Sequence, residues 1–193
     1  EPMEVAALGR AVLDGMRAAG VVGVVKHMPG HGRALVDSHK ELPVVKAGED
    51  ALEIDLEPFI ALHNAPMGMT AHVVYTAWDK ENCASQSAIV IEAVIRGRIG
   101  FDGLLMSDDL GMHALSGDFA ERARRVTEAG CDLALHCSGE MTEMVEVASG
   151  VGPLEGKPLE RLTCAMATIA DTSADETPYE ELAPKRDSVL AYA

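Results

Sequence analysis

The chain has 193 residues, enough for one good core and short for two. Its 16 Lys and Arg against 31 Asp and Glu leave a formal charge of -15, which argues against nucleic acid or an anionic membrane as a partner. Hydrophobic residues make up 48% and aromatics only 4%, as in the aliphatic core of a helix-covered parallel sheet, and no apolar run approaches the roughly 18 to 20 residues of a membrane span.

Residues 3 to 19 place Val5, Leu8, Val12 and Met16 on one helical face, with Pro2 near the start and Gly20 as the stop. The β-branched run Val21, Val22, Val24, Val25 then reads as a buried strand that delivers Lys26 and His27 at its C-terminal end. A Gly/Pro loop follows, carrying His31 and then Asp37-Ser38-His39. Residues 49 to 63 read as a helix with Pro58 inside the pattern, which predicts a kink or two short helices.

A second apolar run, residues 67 to 74, contains His72 and passes into a polar loop. Ser85 or Ser87 caps the next helix, which carries Ile89, Ile91, Val94 and Ile95 and stops near Gly97. A third run, residues 103 to 106, ends in Ser107-Asp108-Asp109, and Asp118 with Glu121 three residues on forms a capping box for a helix to Ala129. The fourth run, residues 132 to 137, ends at His136 and Cys137; helices from about 140 to 148 and 158 to 171 follow. Residues 1–171 therefore read as one domain, and 172–193, rich in Ser, Thr, Asp, Glu and Pro, as a polar, flexible tail.

Strand then helix, four times over, predicts an α/β fold with a parallel sheet and right-handed crossovers. Lys26 and His27, His72, Asp108 and His136 each stand at the end of a different strand, so a parallel arrangement brings them to one face. Cys83, Cys131, Cys137 and Cys164 show no CxxC spacing and read as buried, reduced thiols of a cytoplasmic protein.

Several residues admit two readings at this point. Asp108 at a strand end could attack an anomeric carbon, or Asp108 or Asp109 could simply cap the next turn. Asp37 two residues before His39 could fix the tautomer of a general acid/base on a loop able to approach a leaving group and retreat, or form an Asx-turn beside an exposed histidine. Lys26 and His27 could bond sugar hydroxyls; His72 could line the site or pack in the core. A metal set of His27, His31, Asp37 and His39 is the runner-up chemistry, although its spacing matches no zinc motif. GxGxxG, P-loop and GxSxG patterns are absent, and nothing calls for a cofactor.

Lys26-His27-Met28-Pro29-Gly30-His31-Gly32, Asp37-Ser38-His39 with Leu42-Pro43, Met69-Thr70-Ala71-His72, and Gly100-Phe101-Asp102-Gly103 leading into Ser107-Asp108-Asp109-Leu110-Gly111-Met112 resemble the β-N-acetylhexosaminidases of glycoside hydrolase family 3. The resemblance runs from about residue 2 to 170. It implies a (β/α)8 barrel that releases N-acetylglucosamine from N-acetylglucosaminyl-1,6-anhydro-muramoyl peptides in cytoplasmic cell-wall recycling. Asp108 falls on the family's nucleophile, His39 on its acid/base, Asp37 on the residue assisting His39, and Lys26 and His27 on sugar-binding positions.

Met28 stands where Phe is commoner. A barrel needs eight strands and typically about 250 residues, whereas four strands are legible here, matching the family's fifth to eighth. The expectation is the C-terminal half of a TIM barrel: catalytic residues in place, feebly active alone, and either self-associating or completed by a missing N-terminal half.

Overall fold

The computed structural model describes residues 1–170 and 177–191. In chain order its elements are α1 (Pro2–Ala18), β1 (Val24–Met28), β2 (Val44–Val45), α2 (Glu49–Ala61), β3 (Met67–Thr70), β4 (Val74–Tyr75), a helix over Val90–Arg98, β5 (Leu104–Asp109), α3 (Phe119–Glu128), β6 (Leu133–Leu135), α4 (Met141–Ser149), α5 (Gly156–Ala167) and α6 (Tyr179–Leu190). The sheet runs β1-β3-β5-β6 with every pair parallel, so strand order follows the chain and each crossover joins neighbours. The barrel is not closed: β1 and β6 are the sheet's two free edges.

The helices cover the sheet with aliphatic side chains. Leu52 and Leu56 of α2, Ile91 and Ile95 of the next helix, and Val126 of α3 are buried with Met28, Phe101 and Leu105 in one core. Gly68 in β3 is needed for this packing, because a Cβ there would lie 2.9 Å from the Phe101 ring and 3.0 Å from Met28 Cε. Below the strands, the Asp132 carboxylate, 2% exposed, accepts from Arg96 (2.9 Å), Arg161 (2.9 Å) and the backbone N–H of Leu105 (2.8 Å). That network lies at the end of the sheet where such polar groups serve stability rather than chemistry.

Several expectations are corrected. The apolar face of α1 points outward: Ala6 and Leu13 are buried, while Val5, Leu8 and Val12 are exposed. α2 packs beside this helix, Gly9 lying against Leu62 and Leu13 against Gly23. α2 runs unbroken through Pro58, whose carbonyl accepts from Leu62 N at 3.2 Å. Ser87 caps the helix after β4, its Oγ accepting from Val90 N at 3.1 Å, but the helix is wound in wide turns, with Ile99 N reaching back five residues to Val94 O (2.9 Å).

The Asp118 cap is as read, accepting from Glu121 N at 2.8 Å. Cys83 and Cys131 are buried free thiols, whereas Cys137 and Cys164 are exposed. Within the stretch expected to be a flexible tail, residues 179 to 190 form α6, with Glu180 and Glu181 complementing the dipole of its first turn and no side chain buried. The rest of that expectation, at 172–176 and 192–193, lies outside the described residues.

Candidate active site

The C-terminal ends of the four strands carry the polar residues. β1 ends in Lys26, His27 and Met28; the Met28 carbonyl accepts from Ala71 N at 2.8 Å, which sets the end of β1 beside that of β3. β5 ends in Ser107, Asp108 and Asp109. Ser107 Oγ donates to the Asp108 carbonyl (2.8 Å) and accepts from Leu135 N (3.0 Å), so this serine stitches β6 to β5 where their register slips. The strand ends are thus fixed by bonds within the fold before any substrate arrives.

Asp108 and Asp109 divide sharply. Asp109 Oδ1 accepts from Gly111 N and Cys137 N, both at 3.0 Å, which makes it the organiser of the loops after β5 and β6. Asp108 spends Oδ1 on Asp109 N (2.9 Å) and turns Oδ2 toward His27 Nε2, 3.6 Å away. Its side chain is 13% exposed, a carboxylate with one oxygen held by backbone and the other facing the His27 ring. Of the two carboxylates, Asp109 is the one that holds the following turn.

His72 is completely buried under this carboxylate pair, its Nε2 donating to the Asp109 carbonyl (3.0 Å) and its Nδ1 accepting from Ser85 Oγ (2.7 Å). It is therefore a core histidine that supports the strand end, not a residue offered to a ligand. Burial holds its pKa below the ordinary 6.5 against the opposing pull of Asp108. His27 is also lowered by burial, again opposed by Asp108, and the Lys26 charge is felt at both His27 and Cys137. Lys26 is exposed and His27 half-buried.

Asp37 and His39 form a tight pair. Asp37 Oδ1 accepts from the His39 backbone N–H (3.0 Å) and lies 2.8 Å from its ring Nδ1, and these bonds hold the Asp37 carboxyl below its usual range. One carboxylate oxygen both makes the Asx-turn and holds the imidazole. His39 is 76% exposed. Its carbonyl accepts from His113 N (3.4 Å), which ties this loop to the one that follows Asp108.

The loop itself is anchored at both ends. Tyr75 donates to the Gly30 carbonyl (2.5 Å), Arg33 forks onto Asp55 of α2, and the β2–β4 ribbon pins the far end with Val74 N donating to the Pro43 carbonyl (2.9 Å). His31 bonds Ser38 (3.2 Å) and so organises the loop. The runner-up metal set does not converge: among the described residues no three His, Cys, Asp or Glu side chains are placed to hold an ion.

His136 is packed on Phe119 with ring centroids 4.8 Å apart, its Nε2 donating to Glu143 (2.8 Å) and lying 2.9 Å from Ser138 Oγ. Its Nδ1 is 3.6 Å from Asp109 Oδ1, which places His136 behind Asp109 at the shared face. Glu143 and Ser138 were not singled out in the sequence, and Ser85, read there as a possible helix cap, instead bonds His72. Ser138, three residues before a helix, was the one available signal, a turn-forming serine whose Oγ accepts from Glu140 N (3.1 Å).

The Glycosyl hydrolase family 3 N terminal domain profile matches residues 1–171. The chain belongs to glycosyl hydrolase family 3. A Beta-hexosaminidase of Alkalilimnicola ehrlichii is 46% identical over 142 residues, covering 71% of this chain and 40% of that protein. A family 3 beta-N-acetylglucosaminidase from Paenibacillus has a similar structure at TM-score 0.79 and 31% identity, over 90% of this chain and 36% of that one. NagZ from Neisseria gonorrhoeae, in complex with N-trifluoroacetyl-D-glucosamine, gives TM-score 0.73 and 35% identity over 86% and 49%. This family 3 chain thus spans half or less of the length of each of these relatives.

Proposed function

We propose that this chain carries the nucleophile, the acid/base pair and part of the sugar-binding surface of a retaining β-N-acetylglucosaminidase. Asp108 Oδ2 attacks the anomeric carbon, and the glycosidic bond breaks as the protonated His39 ring gives its proton to the leaving oxygen. A covalent glycosyl ester on Asp108 results. Neutral His39 then takes a proton from water, whose oxygen replaces the ester, restoring Asp108 and releasing the sugar with retained configuration. Asp37 holds the His39 ring through Nδ1, so that Nε2 is the exchanging atom and the imidazolium is stabilised. Using an imidazole in place of a second carboxylate departs from the usual pair.

The observation that carries this reading is the Asp108 carboxylate, one oxygen held by backbone and the other free beside His27. Lys26 and His27 are the groups left to bond sugar hydroxyls; His72 acts from below, through Asp109. The proposed substrates are terminal N-acetylglucosamine residues of peptidoglycan fragments of the N-acetylglucosaminyl-1,6-anhydro-muramoyl peptide type, met in the cytoplasm. The named activities of the Alkalilimnicola and Paenibacillus relatives support the sugar, and two free sheet edges support a chain inactive until another half-barrel or a second copy joins it.

The test is hydrolysis of a chromogenic β-N-acetylglucosaminide by the chain alone and with a co-expressed N-terminal half from a relative. Turnover is expected only in the complex and is expected to vanish in Asp108→Ala. A complex that turns over unchanged with Asp108→Ala would overturn the assignment.

A further inference from the structure

The loop that carries His39 is fixed at its two ends and almost nowhere between. Tyr75 and Val74 of β4 hold the carbonyls of Gly30 and Pro43, and Arg33 is tied to Asp55 and to the Ala51 carbonyl (2.9 Å). Beyond Arg33 the chain runs over the surface. Residues 35 to 37 and 39 to 42 are exposed, Leu35 at 97%, and between them Ser38 alone is buried, at 4%.

Asp37 turns this segment on itself, its carbonyl accepting from Lys40 N (2.9 Å) and Glu41 N (3.1 Å), but those bonds stay inside it. Among the described residues, two hydrogen bonds lead out of residues 35 to 42. One runs from His113 N to the His39 carbonyl at 3.4 Å, and the other joins Ser38 Oγ to His31 Nε2 at 3.2 Å. The first is long for a hydrogen bond; the second ties a buried hydroxyl to a ring next to a carbonyl already held by Tyr75. The His31 ring also meets that of His27, inclined at 64° with centroids 5.6 Å apart, and His27 Nε2 is the atom that faces Asp108 Oδ2. Two imidazoles thus connect the carboxylate of Asp108 to the one buried side chain in the segment of His39.

We propose that His31 is a positioning residue, a latch that sets where His39 stands relative to Asp108. This rests on the reading of His39 as the acid/base. His31 gives no proton to the sugar; it acts through Ser38, whose neighbours in the chain are Asp37 and His39. Either form of the ring keeps the bond, because the Ser38 hydroxyl donates to a bare Nε2 and accepts from a protonated one. Without the latch, residues 35 to 42 keep a single long hydrogen bond to the rest of the chain, and an acid about 1 Å out of place loses on the order of 100-fold in rate.

Proton donation matters more as the leaving group becomes more basic: a dinitrophenolate departs unassisted, whereas a methoxyphenolate needs the proton. The assay uses the complex with the co-expressed N-terminal half. His31→Ala and Ser38→Ala are each expected to lower kcat/KM for the methoxyphenyl β-N-acetylglucosaminide by about 30- to 100-fold, and for the dinitrophenyl one by no more than about threefold. With the dinitrophenyl glycoside kcat and KM are expected to fall together, because His39 must still act as base when water releases the sugar. The double variant is expected to be no worse than either single one. His31→Gln, whose amide nitrogen reaches the place of Nε2, is expected to recover to within about threefold of the parent.

In the chain by itself, hydrogen exchange read by mass spectrometry tests the latch without turnover. The peptide holding the amides of His39, Lys40 and Glu41 is expected to exchange about two- to tenfold faster in His31→Ala. The Ala71 amide, bonded to the Met28 carbonyl, is expected to be unchanged. Equal losses with both leaving groups, multiplying losses in the double variant, or unchanged exchange of the loop would each overturn the proposal. A parent complex that hydrolyses neither glycoside would remove the acid/base reading, and the exchange measurement then decides by itself whether His31 holds the loop.

Discussion

Replacing Asp109 with alanine removes an acceptor that holds two backbone N–H groups, those of Gly111 and Cys137, each 3.0 Å from Oδ1. Hydrogen bonds to a charged group contribute roughly 1.5 to 3 kcal/mol apiece, and since the Asp109 side chain is 27% exposed, water can reach the orphaned donors, which favours the lower value. The expected loss is about 3 kcal/mol, a fall in Tm of roughly 6 to 12 °C for a chain of this size. Asp108→Ala sacrifices one backbone bond, from Asp109 N, and relieves the cost of a partly buried charge facing a histidine kept neutral by burial. Its expected cost is within about 1 kcal/mol. Urea unfolding of the two variants and the parent, followed by circular dichroism, reads both numbers in the chain by itself. An Asp108→Ala variant as unstable as Asp109→Ala would refute the division of the pair into one chemical and one structural carboxylate.

Asp132→Ala strands Arg96 and Arg161 around a vacated buried site and is expected to cost about 3 to 5 kcal/mol, measured by the same melts. His27 and His72 have native pKa values below the ordinary 6.5, so the unfolded chain binds more protons as pH falls through that region. The stability contributed by the neutral rings is complete above about pH 6.5 and is lost as pH falls toward the native pKa values; His72→Gln is expected to flatten the pH dependence of the melts over that window. Dialysis of the half-barrel complex against a chelator is expected to leave hydrolysis unchanged, whereas loss restored by Zn²⁺ would point to the metal chemistry.

The strands were legible because each is a short apolar run closed by a polar residue, and that polar residue was legible as chemistry because parallel strands gather their ends. For α1 the same reasoning found a face but not its partners. Its periodicity is real, but Val5, Leu8 and Val12 stay 57% to 70% exposed among the described residues, and hydrophobic spacing states only that a face needs cover, not that cover is present. The β2–β4 ribbon is too short, at two residues a strand, to leave a pattern, yet it anchors the loop of His39. His72 reads equally as ligand or core in sequence; only its two hydrogen bonds, to Ser85 and the Asp109 carbonyl, decide for the core. Ser107 is the bridge between β5 and β6, a role set by a register slip that no local sequence encodes.

The central claim is that Asp108 forms the bond to the sugar. A slow, fluorinated N-acetylglucosaminide incubated with the half-barrel complex, followed by digestion and mass spectrometry, measures it directly. The adduct is expected on the peptide that contains Asp108 and is expected to be absent in Asp108→Ala, with labelling undiminished in a variant at an exposed position such as Glu128→Gln. A label on Asp109, on Asp37, or on any residue in the Asp108→Ala complex would contradict the account.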